Sequence, residues 1–271
     1  MAFTRYARAH LRRSRGGTVL GLLEFAGAIA AFGGRAIVDA FRPPFEIGEI
    51  LRHLYEFGFR SMPLIATSGF AIGVVLSLHT RASLQRFGAE AMIPAGLAIA
   101  LIRETGPLTA ALLVSGRVGA GIGAELGAMK VTEQIDALEA TAVDAFKFLA
   151  VPRIVACVLV MPLLTIIIDF AGIAGGYVAE SIASGMPWRL FIERSFAFID
   201  YSDLLPATLK TMVFGFIIGT VASYLGFTTS RGTEGVGEAS TRSVVLSSIL
   251  VILSDVILVK VIFFFYPQAV S

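Results

Sequence analysis

The chain has 271 residues, 56% of them hydrophobic and only 15% charged, whereas about a quarter of the residues in a soluble globular domain are charged. That balance excludes a soluble globular domain and reads as an integral membrane protein. A formal net charge of +2 is too small to draw a nucleic acid, and the single cysteine, Cys157, lies in an apolar run and excludes a disulfide framework.

The N-terminus is basic, with Arg5, Arg8, Arg12, Arg13 and Arg15. The apolar stretch behind it contains Glu24 and ends in Gly33-Gly34-Arg35 without a small-residue cleavage pattern, so no cleavable signal peptide is expected. Gly17 to Gly34 is long enough to cross a bilayer. Glu24 sits in its middle and basic residues flank both ends, which suits an amphipathic helix in the cytoplasmic interface better than a span.

Five runs of about twenty apolar residues follow, the length a helix needs to cross the hydrocarbon. They are Ser61 to Leu78, Ile93 to Gly116, Ile154 to Val178, Leu204 to Gly226 and Ser243 to Tyr266. The expected fold is therefore an all-α integral membrane protein: an N-terminal interfacial helix, five transmembrane helices, and a short cytoplasmic helix after the second span. Residues 1–271 form one membrane domain in this reading, with 1–60 cytoplasmic or interfacial, 61–266 the bundle, and 129–150 a cytoplasmic segment. With the N-terminus inside, the inner segments hold most of the Lys and Arg, including Arg35, Arg42, Arg52, Arg60, Lys130, Lys147, Arg153, Arg231 and Arg242, against Arg81, Arg86, Arg189 and Arg194 outside. The C-terminus is then outside.

The second span runs on without a strong break, apart from Gly106-Pro107, from Ile93 to Ala128. A continuous helix of that length reaches roughly 50 Å and must project into the cytoplasm. Gly119, Gly123 and Gly127 recur four apart on one face, a spacing that lets helices approach closely in lipid. The next stretch, ELGAMKVTEQIDALEAT, predicts a short amphipathic helix: Val131, Ile135, Leu138 and Ala142 share an apolar face, while Thr132, Glu133, Asp136 and Glu139 line the rest. Asp144 is placed to cap the helix that continues through Pro152 into the third span.

Arg103, Glu104, Arg117, Asp169 and Asp255 fall within or at the ends of spans, where an unpaired charge costs roughly 2.5 to 3.5 kcal/mol. They are expected to face the bundle interior. Arg103 and Glu104 are adjacent, so their side chains diverge toward separate partners or line a polar space opened by the Gly106-Pro107 kink.

LIRETGPLTAALLVSGRVGAGIGAELG followed by ELGAMKVTEQIDALEATAVD resembles the MlaE family, the permease subunits of ABC transporters that move phospholipids or related lipids between bacterial membranes. The likeness extends to STRSVVLSSILVILSDVILVK near the end; one departure is Asp144-Ala145, where the family usually has Asp-Pro. The resemblance implies a permease homodimer in the inner membrane, two ABC ATPase subunits, a STAS-domain protein and a periplasmic MCE-domain hexamer. It implies that the cytoplasmic segment couples to the ATPase through Glu125, Lys130, Thr132, Glu133, Gln134, Asp136 and Glu139. Leu78, Leu84 and Phe87, with Arg103 and Glu104, would border the lipid cavity.

No GxxxxGK[ST] motif occurs, so ATP and magnesium belong to a partner and no cofactor is expected in this chain. There is no GxSxG elbow, and His10, His53 and His79 stand apart from Cys or carboxylate clusters, so neither catalytic residues nor a metal site are expected. The alternative is a self-contained secondary carrier or channel, which often shows inverted repeats; none is visible.

Overall fold

The computed structural model describes residues 18–230 and 232–265. The basic cluster from Arg5 to Arg15, His10, Gly17 and Arg231 lie outside the described residues. Among those described, the chain is all α-helix, without strands: α1 (Thr18–Ala40), α2 (Ile47–Gly58), α3 (Met62–Leu84), α4 (Ile93–Ala100), α5 (Gly106–Val114), α6 (Ala120–Val131), α7 (Gln134–Ala140), α8 (Val151–Ser184), α9 (Trp188–Ser195), α10 (Tyr201–Phe227) and α11 (Gly232–Phe265). It is an all-α integral membrane protein.

Six helical stretches among the described residues are long and apolar enough to cross a membrane: Leu20–Ala40, Ile47–Phe87, Glu90–Val131, Phe146–Ser184, Asp203–Phe227 and Gly232–Phe265. Five contain the expected spans, apart from Tyr266 at the end of the last, which lies outside the described residues. The sixth, Leu20–Ala40, is the segment expected in the interface, and by length and composition it passes the same test. The 42 residues of Glu90–Val131 measure roughly 60 Å at helical rise, about twice the hydrocarbon thickness.

This long stretch is not uniform. Two π-turns, Leu101–Thr105 and Ser115–Gly119, join α4, α5 and α6, and a third, Phe146–Ala150, leads into α8. Two of the three precede a proline by two residues, Pro107 and Pro152. A proline has no N–H for the preceding turn, and its ring crowds the carbonyl four residues back; widening that turn relieves the crowding.

The chain's contacts gather into two units. One comprises, among the described residues, 18–54, 115–157, 216–230 and 232–249. Within it the predicted glycine face of α6 is used: a Cβ on Gly123 would lie 2.5 Å from Ser243 Oγ, and one on Gly127 would lie 3.0 Å from Thr229 Oγ1. Small residues there let the α6 backbone touch α11 and the segment before it.

The other unit comprises, among the described residues, 55–114, 158–215 and 250–265. Its core gathers Leu97, Leu101, Ile102, Ile173 and Phe191, with Leu76 and Tyr177 against them. Here α3 and α8 cross with almost no side chain between them. A Cβ on Gly73 would fall 1.8 Å from Gly172 O, and one on Gly175 would fall 2.1 Å from Phe70 O.

Candidate functional site

The segment after α6 is built by a sequence of local stops. Thr132 ends α6, its N–H and its Oγ1 both donating to Ala128 O, at 3.0 and 2.8 Å. Glu133 then takes a left-handed conformation, φ 60°, and its carbonyl accepts the first bond of α7 from Ala137 N–H at 2.8 Å. At the far end Val143 N–H donates to Leu138 O and Ala142 N–H to Glu139 O, both at 3.2 Å. With Ala142 at φ 63°, this is the paired bonding that closes a helix C-terminus, here with alanine where glycine is usual.

The single amphipathic helix expected across this stretch is therefore corrected. Val131 belongs to the end of α6 and Ala142 to the exposed turn beyond α7. Ile135 is fully buried and Leu138 half-buried, so these two are the apolar anchors of the seven-residue helix. Thr132, Glu133, Gln134 and Glu139 are exposed.

Three of the expected contact residues, Lys130, Asp136 and Glu125, are paired within the chain. Lys130 Nζ donates to Asp136 Oδ1 at 2.6 Å, folding α7 back on the end of α6. Glu125 accepts from Arg153 Nη2 at 2.8 Å, while Arg153 Nη1 donates to Leu149 O at 2.7 Å. Arg153 is among the largest fully buried side chains, so Glu125 neutralises a charge that would otherwise be stranded. Asp144 caps as expected, its Oδ1 accepting from Phe146 N–H at 3.1 Å and Lys147 N–H at 3.3 Å.

A second polar group lies in the other unit. Arg103 and Glu104, neighbours in the π-turn, diverge to separate partners: Arg103 Nη2 lies 2.8 Å from Asp203 Oδ1, and Glu104 Oε2 accepts from Lys210 Nζ at 2.8 Å. Lys210 also lies 2.9 Å from Asp255 Oδ1. These five residues carry three carboxylates and two cations, drawn from the π-turn, α10 and α11. With Ala207, Val259, Ile262 and Phe263 around Arg103, Glu104, Asp203 and Lys210, they border a cleft of about 30 Å³, room for one or two waters. Arg103 and Glu104 act here as ion-pair partners.

Asp169 is buried and sits against Gly106, where an added Cβ would lie 1.8 Å from its Oδ1; that oxygen has no hydrogen-bond partner among the described residues. Arg117 is exposed, within the second π-turn, and makes no ion pair among the described residues. Leu78 and Leu84 lie on α3 and Phe87 in the 3₁₀ turn that follows; Leu78 and Phe87 are exposed, and Leu84 is half-buried. Among the described residues no group of three or more His, Cys, Asp or Glu is arranged to hold a metal ion.

Residues 50–261 match the family described as Permease MlaE. The chain belongs to the MlaE permease family. It is 38% identical over 240 residues to a probable ABC transporter permease protein of Rickettsia typhi, covering 89% of this chain and 93% of the relative. It is 34% identical over 219 residues to the intermembrane phospholipid transport system permease protein MlaE of Haemophilus influenzae, covering 79% and 82%.

Several charges of this MlaE permease are paired across its helices without a local mark in the sequence. Lys210 joins two carboxylates, Asp203 holds Arg103, and Arg81 and Glu180 form a further pair in the same unit. Each lies inside or beside an apolar run, and a cation there must have a counter-charge. That requirement was available from the sequence; the identity of each partner was not, since about a hundred residues separate the members of most pairs.

Proposed function

We propose that this chain is the permease subunit of an ABC transporter that moves phospholipid or a related lipid between the inner membrane and a periplasmic MCE-domain partner. ATP hydrolysis takes place in a separate subunit, which holds the nucleotide and magnesium. Family membership supports the reading, and so does the name of the Haemophilus relative, an intermembrane phospholipid transport system permease protein.

The observation that carries it is the geometry of α7. A short helix between two long apolar ones is held by Ile135 and by the Lys130–Asp136 pair, and leaves Glu133, Gln134 and Glu139 exposed. Acidic and amide groups on a firmly seated element fit a basic or amide-lined groove of a soluble ATPase. The assembly we propose is a permease homodimer with two ATPase subunits, a STAS-domain protein and an MCE-domain hexamer. Leu78, Leu84 and Phe87 are the candidate contacts for acyl chains or the periplasmic partner.

The N-terminus is cytoplasmic in this arrangement and the C-terminus periplasmic. Arg35 near the end of α1 bonds Asp144 beside α7; with α7 read as the cytoplasmic ATPase contact, that supports a cytoplasmic position for this end of α1. Glu24, eleven residues earlier and exposed without an ion pair among the described residues, would then stand about 16 Å deep if α1 crossed the membrane. An interfacial α1 avoids that cost.

The deciding experiment is purification of the tagged permease in mild detergent, with mass spectrometry of the proteins and lipids retained. The expected result is an ATPase at one copy per permease together with bound phospholipid. A permease that carries no ATPase and still moves its substrate in vesicles returns the reading to a self-contained carrier.

A further inference from the structure

Asp144 divides its carboxylate between two tasks. Oδ1 caps the helix start, accepting from Phe146 and Lys147 amides, and Oδ2 accepts from Arg35 Nη2 at 2.8 Å. Capping needs only one oxygen, which Asn or Ser supplies as well. The second oxygen reaches to a helix 109 residues away in sequence.

The same guanidinium makes further contacts. Arg35 Nε donates to Asp39 Oδ2 at 3.1 Å along α1, and the Arg35 Cζ sits 4.2 Å from the centroid of the Phe146 ring. Phe146 in turn meets Phe32 of α1 edge to face, with centroids 4.7 Å apart, and Phe227 of α10 at 6.4 Å. Phe25 and Phe32 both pack on Tyr224, and Gly33 lies under Phe216 and Thr220. Thus α1 is seated across the last turns of α10 by aromatic packing, and is fastened by one arginine to the residue that begins the helix after α7.

We propose that α1 is a strap in the coupling device, with Arg35 and Asp144 as positioning residues that fix where the segment leaving α7 enters α8. This rests on the reading of α7 as the ATPase contact. Displacing α7 must either carry Asp144 and Phe146 along with α1 or break the arginine's contacts. Because Arg35 is 34% and Asp144 50% exposed, their attraction is weakened by water and contributes little to stability. Its effect is on position.

The test uses Asp144→Asn in the complete complex of permease and ATPase, reconstituted in phospholipid vesicles. Asn keeps an oxygen for the Phe146 and Lys147 amides but presents an N–H₂ to Arg35, so the cap stays and the strap opens. Two quantities are read: lipid moved per ATP hydrolysed, and hydrogen exchange of the α1 amides. The expected result is a fall of about two- to thirtyfold in lipid per ATP, the span of mutational effects on coupling, with faster exchange in α1 and unchanged exchange at Phe146 and Lys147. Arg35→Gln, which leaves Asp144 intact, should reproduce both changes and serves if the first variant fails to assemble. Wild-type lipid per ATP in either assembled variant overturns the proposal, as does wild-type exchange in α1. If the wild-type complex itself moves no lipid, the transporter reading fails; the exchange measurement still decides whether Arg35 and Asp144 hold α1.

Discussion

Arg81 and Glu180 meet as two planar forks, Arg81 Nη2 donating to Glu180 Oε2 at 2.6 Å and Nε to Oε1 at 3.1 Å, with Ser77 Oγ donating to the same Oε1 at 3.2 Å. Glu180 is 1% exposed and Arg81 15%. The pair joins α3 to α8 in the unit where their glycines already touch.

The unequal burial predicts an unequal response. Arg81→Ala strands a carboxylate that cannot reach water and should cost about 3–5 kcal/mol. Glu180→Ala leaves an arginine whose long stem can carry its charge outward, and should cost less. Replacing both with Met removes the charges together and should cost less than Arg81→Ala alone. Thermal unfolding of the three purified variants checks the order; an Arg81→Ala midpoint equal to wild type would show that the fork contributes nothing.

Lys210 predicts a second asymmetry. Its side chain is 2% exposed, as is 6% of Asp255, whereas 46% of Glu104 is exposed. Lys210→Met therefore leaves Asp255 buried without its cation and should cost about 3–5 kcal/mol. Adding Asp255→Asn to that variant should restore part of the loss. Glu104→Gln acts on the watered end of the network and should cost no more than about 1 kcal/mol. The same unfolding measurement reads all three, and equal effects for Lys210→Met and Glu104→Gln would refute a network organised by burial.

Much of this fold could be read directly from the residues. The spans are long apolar runs, and the reach of Glu90–Val131 follows from its uninterrupted length. Asp144 as a cap was legible because capping is local. The break at Glu133 was not: a left-handed glutamate has no sequence mark of the kind glycine provides, so Val131 to Ala142 read as one helix. Nor was the pairing of Arg103 with Asp203 and of Glu104 with Lys210, since Gly106-Pro107 signals a disturbed helix without telling which charges meet beside it. The partners of Arg81, Arg103 and Lys210 depend on which helix faces lie together, and apolar runs this uniform carry little periodicity to show it.

The crossing of α3 and α8 gives a third prediction. A methyl at Gly73 would lie 1.8 Å from Gly172 O, an atom of a helix backbone that cannot turn aside, while Gly121 has nothing within 4 Å of the corresponding position. Gly73→Ala must push the helices apart and should cost about 1–3 kcal/mol or more. Gly121→Ala adds the same methyl in open space, where alanine is the better helix former, and should be neutral or slightly stabilising. Comparing the two midpoints separates steric contact from any general effect of removing glycine from the membrane helices.

The last prediction concerns α7. If it is gripped by an ATPase, the exposed acids Glu133 and Glu139 should matter more than Asp136, whose carboxylate is already held by Lys130. Glu133→Lys keeps a side chain of similar length at a backbone position, φ 60°, that is equally unfavourable for glutamate and lysine. Neither change disturbs Ile135, so α7 stays seated. Single charges at the rim of an interface contribute little, but reversing two replaces attraction with repulsion, which costs several kcal/mol. The double variant Glu133→Lys, Glu139→Lys should therefore insert normally, lose its ATPase during purification and transport no lipid. Asp136→Asn should weaken the internal pair and retain the ATPase. Quantifying the ATPase against the permease in each preparation gives the answer: if the double-lysine variant retains it at wild-type stoichiometry, the exposed face of α7 is a solvated loop and the coupling contact lies elsewhere.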